Sequence, residues 1–197
     1  MEKPNPQILI SAYMQGIFPM AHPEEGGSIY WYAPDPRGIL PIEDFHCPSR
    51  LAQTVSQEPF EIRYDTAFKQ VMEECAAPRK IQKTTWISEG LIEAYSELNQ
   101  LGFAHSVEAW LDDELVGGLY GVSVGGLFAG ESMFYRETDA SKVCLVHLVE
   151  RLKERGFRLL DVQFVNDHLE QFGAIEISRE DYERRLAEAL EQQVQFI

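Results

Sequence analysis

The sequence predicts an α/β (α+β) fold, a mixed sheet flanked by helices, preceded by a small proline-rich lobe. Three observations carry this. All ten prolines fall between Pro4 and Pro78, and proline removes a backbone donor and interrupts regular elements. Residues 1–83 therefore read as an irregular lobe with short strands. Residues 84–197 alternate instead between helical and strand periodicity, which makes them the main domain. The hydrophobic share of 45% is enough to fill a core, and it excludes the disorder of chains too polar to offset their ordering entropy.

The elements after Pro78 follow in order. Ser88 is placed to cap a helix with Glu89 in its first turn. Leu91, Ile92, Tyr95 and Leu98 recur along one face, and Gly102 ends it. Residues 105–111 form a strand, Asp112-Asp113 a turn, and 114–123 a second strand. Gly125-Gly126 suits a tight hairpin because glycine tolerates positive φ at both central positions. Residues 127–134 complete an antiparallel meander. Thr138 or Asp139 is expected to cap the next helix, with Val143, Val146, Val149 and Leu152 on one face and Gly156 at its end. Then come a strand over 158–165, a short helix over 168–172 stopped by Gly173, and a short strand over 174–177. Ser178, with Asp181 three residues on, resembles a capping box for the last helix.

Composition limits the functional classes. No run reaches the roughly 18 uninterrupted apolar residues of a membrane span, and the N-terminus lacks a basic segment leading into a long apolar one. A cytoplasmic location is expected. Cys47, Cys75 and Cys144 are odd in number and widely spaced, and the five histidines make no HxxxH or HExxH pair. Neither a disulfide framework nor a metal site is expected. The formal charge of −15 argues against nucleic acid on its face, since phosphate contacts need Lys and Arg. Local patches can differ from the net charge. Arg79, Lys80 and Lys83 form one basic run, and Arg151, Lys153, Arg155 and Arg158 another. The bland alternative for both is solvated helix surface.

The order helix, three antiparallel strands, helix, strand, helix, strand, helix resembles the GNAT-like acyltransferase fold. There the sheet splays between its central strands and acyl donors enter the gap. Fold alone does not fix function. More specific are six stretches in order: Gly16-Ile17-Phe18-Pro19, Trp31-Tyr32-Ala33-Pro34-Asp35-Pro36-Arg37, Thr85-Trp86-Ile87, residues 105–134, Ala140-Ser141-Lys142 and residues 159–174. Together they resemble the leucyl/phenylalanyl-tRNA–protein transferase family over most of the chain. The resemblance implies aminolysis of an ester. The α-amino group of an acceptor protein beginning with Arg or Lys attacks the carbonyl that joins leucine or phenylalanine to the tRNA 3′ adenosine. Met is a further donor. The product would feed the N-degron pathway, with no cofactor, metal or membrane required.

Asp161 and Gln163 stand two apart on a predicted strand and so face the same way. A carboxylate beside an amide within an apolar run is costly to bury without partners, which marks either a functional pair or a polar brace for the sheet. By resemblance they are the catalytic pair, with Asp161 orienting Gln163 toward the attacking amine. A neutral amide is a very weak base, and an α-amino group has a pKa of about 8, so orientation weighs more than proton removal. Glu131 would be a solvated edge residue by default; by resemblance it recognises the donor's amino group or terminal nucleotide. Phe128, Leu119, Leu145 and Leu148 are core by default and an apolar side-chain pocket by resemblance. Trp86 is either a packing anchor or a partner for the terminal adenosine. Met20 stands where relatives carry a second stacking Trp. The competing functions are an acetyl-CoA-dependent N-acetyltransferase and a noncatalytic module that holds aminoacylated tRNA or peptidoglycan-precursor substrates. The first fits poorly, because residues 134–142 offer no glycine-rich pyrophosphate loop.

Overall fold

The computed structural model describes residues 3–78 and 84–197. The basic run at Arg79, Lys80 and Lys83 lies outside the described residues. The first part contains α1 (Pro6–Tyr13), β1 (Phe18–His22), β2 (Ser28–Tyr32), β3 (Arg37–Ile39), α2 (Ser49–Ser56), β4 (Glu61–Tyr64) and α3 (Phe68–Ala76). The second contains α4 (Glu89–Gln100), β5 (Ala104–Leu111), β6 (Glu114–Val124), β7 (Leu127–Tyr135), α5 (Ala140–Arg155), β8 (Leu159–Gln163), α6 (Asp167–Glu170), β9 (Ile175–Ile177) and α7 (Arg179–Leu190). Among the described residues no helix is long and apolar enough to cross a membrane.

Seven strands form one mixed sheet in the order β4-β5-β6-β7-β8-β3-β9, and β1 and β2 form a separate hairpin. The expected meander is present, with β5, β6 and β7 antiparallel. The division expected at residue 83 does not follow a sheet boundary. β4 pairs with β5, and β3 lies between β8 and β9. Segments of three and four residues gain their strand character from these neighbours, so local propensity shows them poorly.

The caps follow the sequence in part. Ser88 accepts from Leu91 N at 3.3 Å and Ser178 from Asp181 N at 3.3 Å. The Asp181 carboxylate turns to Arg184 at 2.8 Å and closes no reciprocal box. Asp139 precedes α5 with φ +63° and makes no side-chain cap; its carboxylate takes Lys142 Nζ at 2.8 Å instead. The hairpin geometry also differs from expectation. Asp112 and Asp113 both carry positive φ, whereas at the second turn Gly125 alone does. Gly126 is needed for space: a Cβ there would lie 2.9 Å from the Gln192 side chain and 3.0 Å from the Ala189 carbonyl.

Alternation along β6 separates two cores. Tyr120 and Val122 face a cluster built with Val71 and Met72 of α3 and Leu91, Tyr95 and Leu98 of α4. Leu119 faces the cluster of Val143, Leu145, Leu148 and Leu152 of α5, which also holds Phe128 and Phe196. The sheet is therefore apolar on both faces at its centre, and a polar group placed there must find a partner inside the protein.

Candidate active site

β7 and β8 pair in parallel over residues 127–129 and 159–161. Beyond that, β7 runs on to Tyr135 while β8 stops at Gln163. A cavity of about 300 Å³ opens where they part. Leu119, Met133, Leu145, Leu148, Leu160 and Leu169 line it from the α5 side of the sheet. Phe18, Met20, Trp86 and Tyr120 line it from the α3–α4 side. Glu131, Ser132, Gln163, Asn166 and His168 supply polar lining. Burial, and then the charge of Lys142, hold the His168 ring below its usual pKa.

A β-bulge sets Glu131. Tyr120 faces Ser132 and the next pair is Gly121 with Gly130, so Glu131 is the extra residue. Bulges re-aim a side chain out of the regular alternation. Gly121 permits the arrangement, since a Cβ there would lie 2.4 Å from both the Ala129 carbonyl and the Phe128 ring. Glu131 Oε1 accepts from the Tyr13 hydroxyl at 2.8 Å and from Gln163 Nε2 at 3.2 Å. Tyr13 in turn shares a short hydrogen bond with the Tyr95 hydroxyl. Burial pushes the Glu131 carboxyl up to about 8, reinforced by Asp161 and opposed by Tyr13 and Arg37. Both hydrogen bonds end on Oε1, and among the described residues none ends on Oε2.

Asp161 is 1% exposed and Arg37 2% exposed. Arg37 donates through Nε to Oδ1 at 2.9 Å and through Nη2 to Oδ2 at 2.6 Å. Tyr182 donates its hydroxyl to Oδ2 at 2.7 Å, and the Gln163 backbone N–H reaches Oδ1 at 2.9 Å. Each carboxylate oxygen thus has two donors. Arg37 also donates to the Gly16 carbonyl at 2.8 Å and lies over the Phe18 and Tyr182 rings at 4.9 and 4.5 Å. Gln163 itself has φ +60°, a left-handed conformation that is strained for a side-chain-bearing residue. That conformation ends β8 two residues before the expected limit and brings the amide to Glu131.

Of the residues singled out from sequence, Trp86, Glu131, Leu119, Leu145, Leu148, Met20 and Gln163 line the cavity together. Ala21 N donates to the Trp86 carbonyl at 3.1 Å, which ties the hairpin carrying Met20 to Trp86. Phe128 is not among the lining residues: it is fully buried behind them, packed on Gly121 and 5.3 Å from the Phe196 ring. Asp161 does not line the cavity either and reaches it through Gln163. Arg37, Tyr13, Tyr95 and Tyr182 were not anticipated. A buried carboxylate requires a counter-charge, and Arg37 stood within a quoted motif, so that signal was available. Tyr95 reads from sequence only as part of the apolar face of α4, and no motif or spacing singles out Tyr13 or Tyr182. The basic run also divides. Arg151 is used internally, donating to the Phe196 carbonyl at 2.7 Å and lying over the Tyr64 ring at 4.2 Å. Lys153, Arg155 and Arg158 are exposed; the first two stand in the last turn of α5 and Arg158 precedes β8, about 16 Å along the strand from Gln163 at ~3.3 Å per residue.

Residues 39–187 match the model of the leucyl/phenylalanyl-tRNA protein transferase family, and residues 3–35 match the model of its N-terminal domain. A leucyl/phenylalanyl-tRNA–protein transferase of Paramagnetospirillum magneticum is 54% identical over 189 residues, covering 96% of this chain and 90% of that one. Another, of Herpetosiphon aurantiacus, is 55% identical over 188 residues, covering 95% of each. Among solved structures, L-PGS from Bacillus licheniformis superposes with a TM-score of 0.47 at 10% identity, over 90% of this chain and 67% of that one. At that distance nothing is carried over. A splayed sheet with a carboxylate and an amide at the mouth of an apolar cavity, in a chain with these relatives, defines an aminoacyltransferase. The chain belongs to the leucyl/phenylalanyl-tRNA protein transferase family.

Proposed function

We propose that the protein transfers leucine, phenylalanine or methionine from aminoacyl-tRNA to the α-amino group of an acceptor protein that begins with Arg or Lys. The observation that carries this is the cavity itself: an apolar chamber on one side, Trp86 and Met20 on the other, and a carboxylate with one uncommitted oxygen in its lining. An aminoacyl-adenosine end needs those three features. The side chain enters the leucine-lined part, the free ammonium takes Glu131 Oε2 as the carboxyl gives up the proton that burial lets it keep below about pH 8, and the adenine contacts Trp86. Base stacking on an aromatic side chain contributes about 1–3 kcal/mol. A GNAT-like sheet, a cytoplasmic location and entry of the product into the N-degron pathway belong to the same proposal.

In the chemical step the acceptor nitrogen attacks the ester carbonyl carbon. The new C–N bond forms, the C–O bond to the ribose breaks, and a proton from the amine ends on the departing ribose oxygen. Gln163 donates through Nε2 to Glu131, so its Oε1 remains to accept a hydrogen bond from the incoming amine. This fixes the direction of the nitrogen lone pair, an orientation effect. Asp161 holds Gln163 by its backbone N–H. With both oxygens doubly occupied, Asp161 is a positioning residue and takes no substrate proton.

The test is transfer of radiolabelled leucine from leucyl-tRNA to a peptide beginning with Arg, with an acetyl-CoA reaction run in parallel. Leucine transfer without acetyl transfer is expected. Acetyl transfer without leucine transfer would replace this function with N-acetylation.

A further inference from the structure

Tyr120 is fully buried, yet among the described residues its hydroxyl has no hydrogen-bond partner. Such a group costs free energy wherever it occurs, and native proteins retain few. The surrounding groups are already committed. The Tyr120 ring packs edge-on against Phe68 and Tyr95 at 5.9 and 6.0 Å. Tyr95 bonds Tyr13, and Tyr13 bonds Glu131. Of the three tyrosines gathered near the bulge, two form a chain to the carboxylate and the third is left out. Tyr120 is also the residue opposite Ser132 at the bulge that presents Glu131, and all three line the cavity.

We propose that Tyr120 is a positioning residue for the donor, its hydroxyl oxygen accepting a hydrogen bond from the α-ammonium beside Glu131 Oε2. This rests on the aminoacyl-donor function proposed above. An ammonium carries N–H donors and no acceptor, so it needs several oxygens around it. Glu131 Oε1 is occupied by Tyr13 and Gln163, which leaves Oε2 and, on another residue lining the same cavity, the unpartnered Tyr120 hydroxyl. Two acceptors fix the ammonium in direction, and through it the ester carbonyl that the amine attacks.

Tyr120→Phe removes the oxygen and little else. The probes are 3′-leucylamido-3′-deoxyadenosine, which keeps the free amine on a bond that cannot be transferred, and its N-acetyl counterpart. Calorimetric titration of both, on wild type and variant, is combined with the thermal midpoint of each free protein. Binding of the free-amine probe should weaken about tenfold, as for a hydrogen bond to a charged group. The N-acetyl probe should bind both proteins alike, and the midpoint should hold or rise, because an unpaired buried hydroxyl is gone. Equal weakening of both probes would assign the hydroxyl to the ribose or base and overturn the proposal. So would no change for either probe, or a clearly lowered midpoint, which would mean that the hydroxyl is paired in the free protein. Failure of the wild type to bind the free-amine probe would reject the donor function itself.

Discussion

Arg37 and Asp161 meet as a two-pronged ion pair at 2.9 and 2.6 Å, 2% and 1% exposed. They are 124 residues apart in sequence and join the proline-rich segment to the strand that carries Gln163. A charge pair this deep gains less from attraction than it loses in hydration unless its other hydrogen-bonding positions are filled. Here Tyr182, the Gly16 carbonyl and the Gln163 backbone fill them. The pair therefore acts mainly as a geometric device that fixes where β8 ends.

Removing one partner should be far worse than removing both. Arg37→Met leaves an uncompensated buried carboxylate and is expected to cost about 3–5 kcal/mol in urea unfolding. Arg37→Lys should not restore the loss, because a single ammonium cannot reproduce the planar fork. The double variant Arg37→Met, Asp161→Leu should lie closer to wild type than the sum of the single changes. Simple additivity would show that the two residues do not act as a pair.

Gln163 should trade stability against activity. Its φ of +60° is a conformation glycine adopts without the Cβ penalty, which is about 1–2 kcal/mol. Gln163→Gly removes that strain together with the amide. The variant should unfold no more readily than wild type while transfer falls by about a hundredfold or more, as when a single positioning group is lost. Retained binding of an aminoacyl-adenosine probe would place the loss in turnover. Unimpaired transfer would take Gln163 out of the reaction.

Much of this arrangement was legible in the sequence, and the exceptions share a cause. Alternation and turn residues marked β5, β6 and β7, and helical spacing with Ser88 and Gly156 marked α4 and α5, because those segments are long and locally consistent. The cavity residues Trp86, Glu131 and Gln163 stand in the motifs, whereas Leu145 and Leu148 came from the family resemblance alone. Less legible were features decided by distant contacts. β3 and β4 are too short to show periodicity, and partners elsewhere in the chain define them. The bulge at Glu131 depends on the register of β6 against β7, which no local pattern encodes. Phe128 illustrates the converse: an apolar residue at strand spacing looks the same whether it lines a cavity or packs behind it.

Glu131 should make stability fall as pH rises. Burial raises its carboxyl from the ordinary 4.5 to about 8 in the folded protein. Between those values the folded state holds a proton that the unfolded chain has released, so unfolding becomes easier with increasing pH. The contribution is fully present below about 4.5 and is lost as pH passes 8. Thermal midpoints across this window should decline, and Glu131→Gln, which is neutral throughout, should flatten the decline. The same slope in variant and wild type would assign the pH dependence to other groups.

Leu148 should set donor choice. It is 1% exposed within the α5 cluster and contributes to the cavity lining. Leu148→Ala deepens the chamber by most of a leucine side chain and is expected to cost about 2–5 kcal/mol in stability, so turnover is compared at a temperature where both proteins are folded. A larger apolar chamber favours the larger donor, and a methylene in such a pocket is worth about 1–3 kcal/mol. The ratio of kcat/KM for phenylalanyl- over leucyl-tRNA should therefore rise by about tenfold or more in the variant. Phe128→Leu makes the control, because Phe128 packs behind the lining and does not form it. Its ratio should shift less than that of Leu148→Ala. If it shifts as much or more, the chamber's shape is governed from the second layer, and the donor's side chain reaches deeper than the wall formed by Leu145 and Leu148.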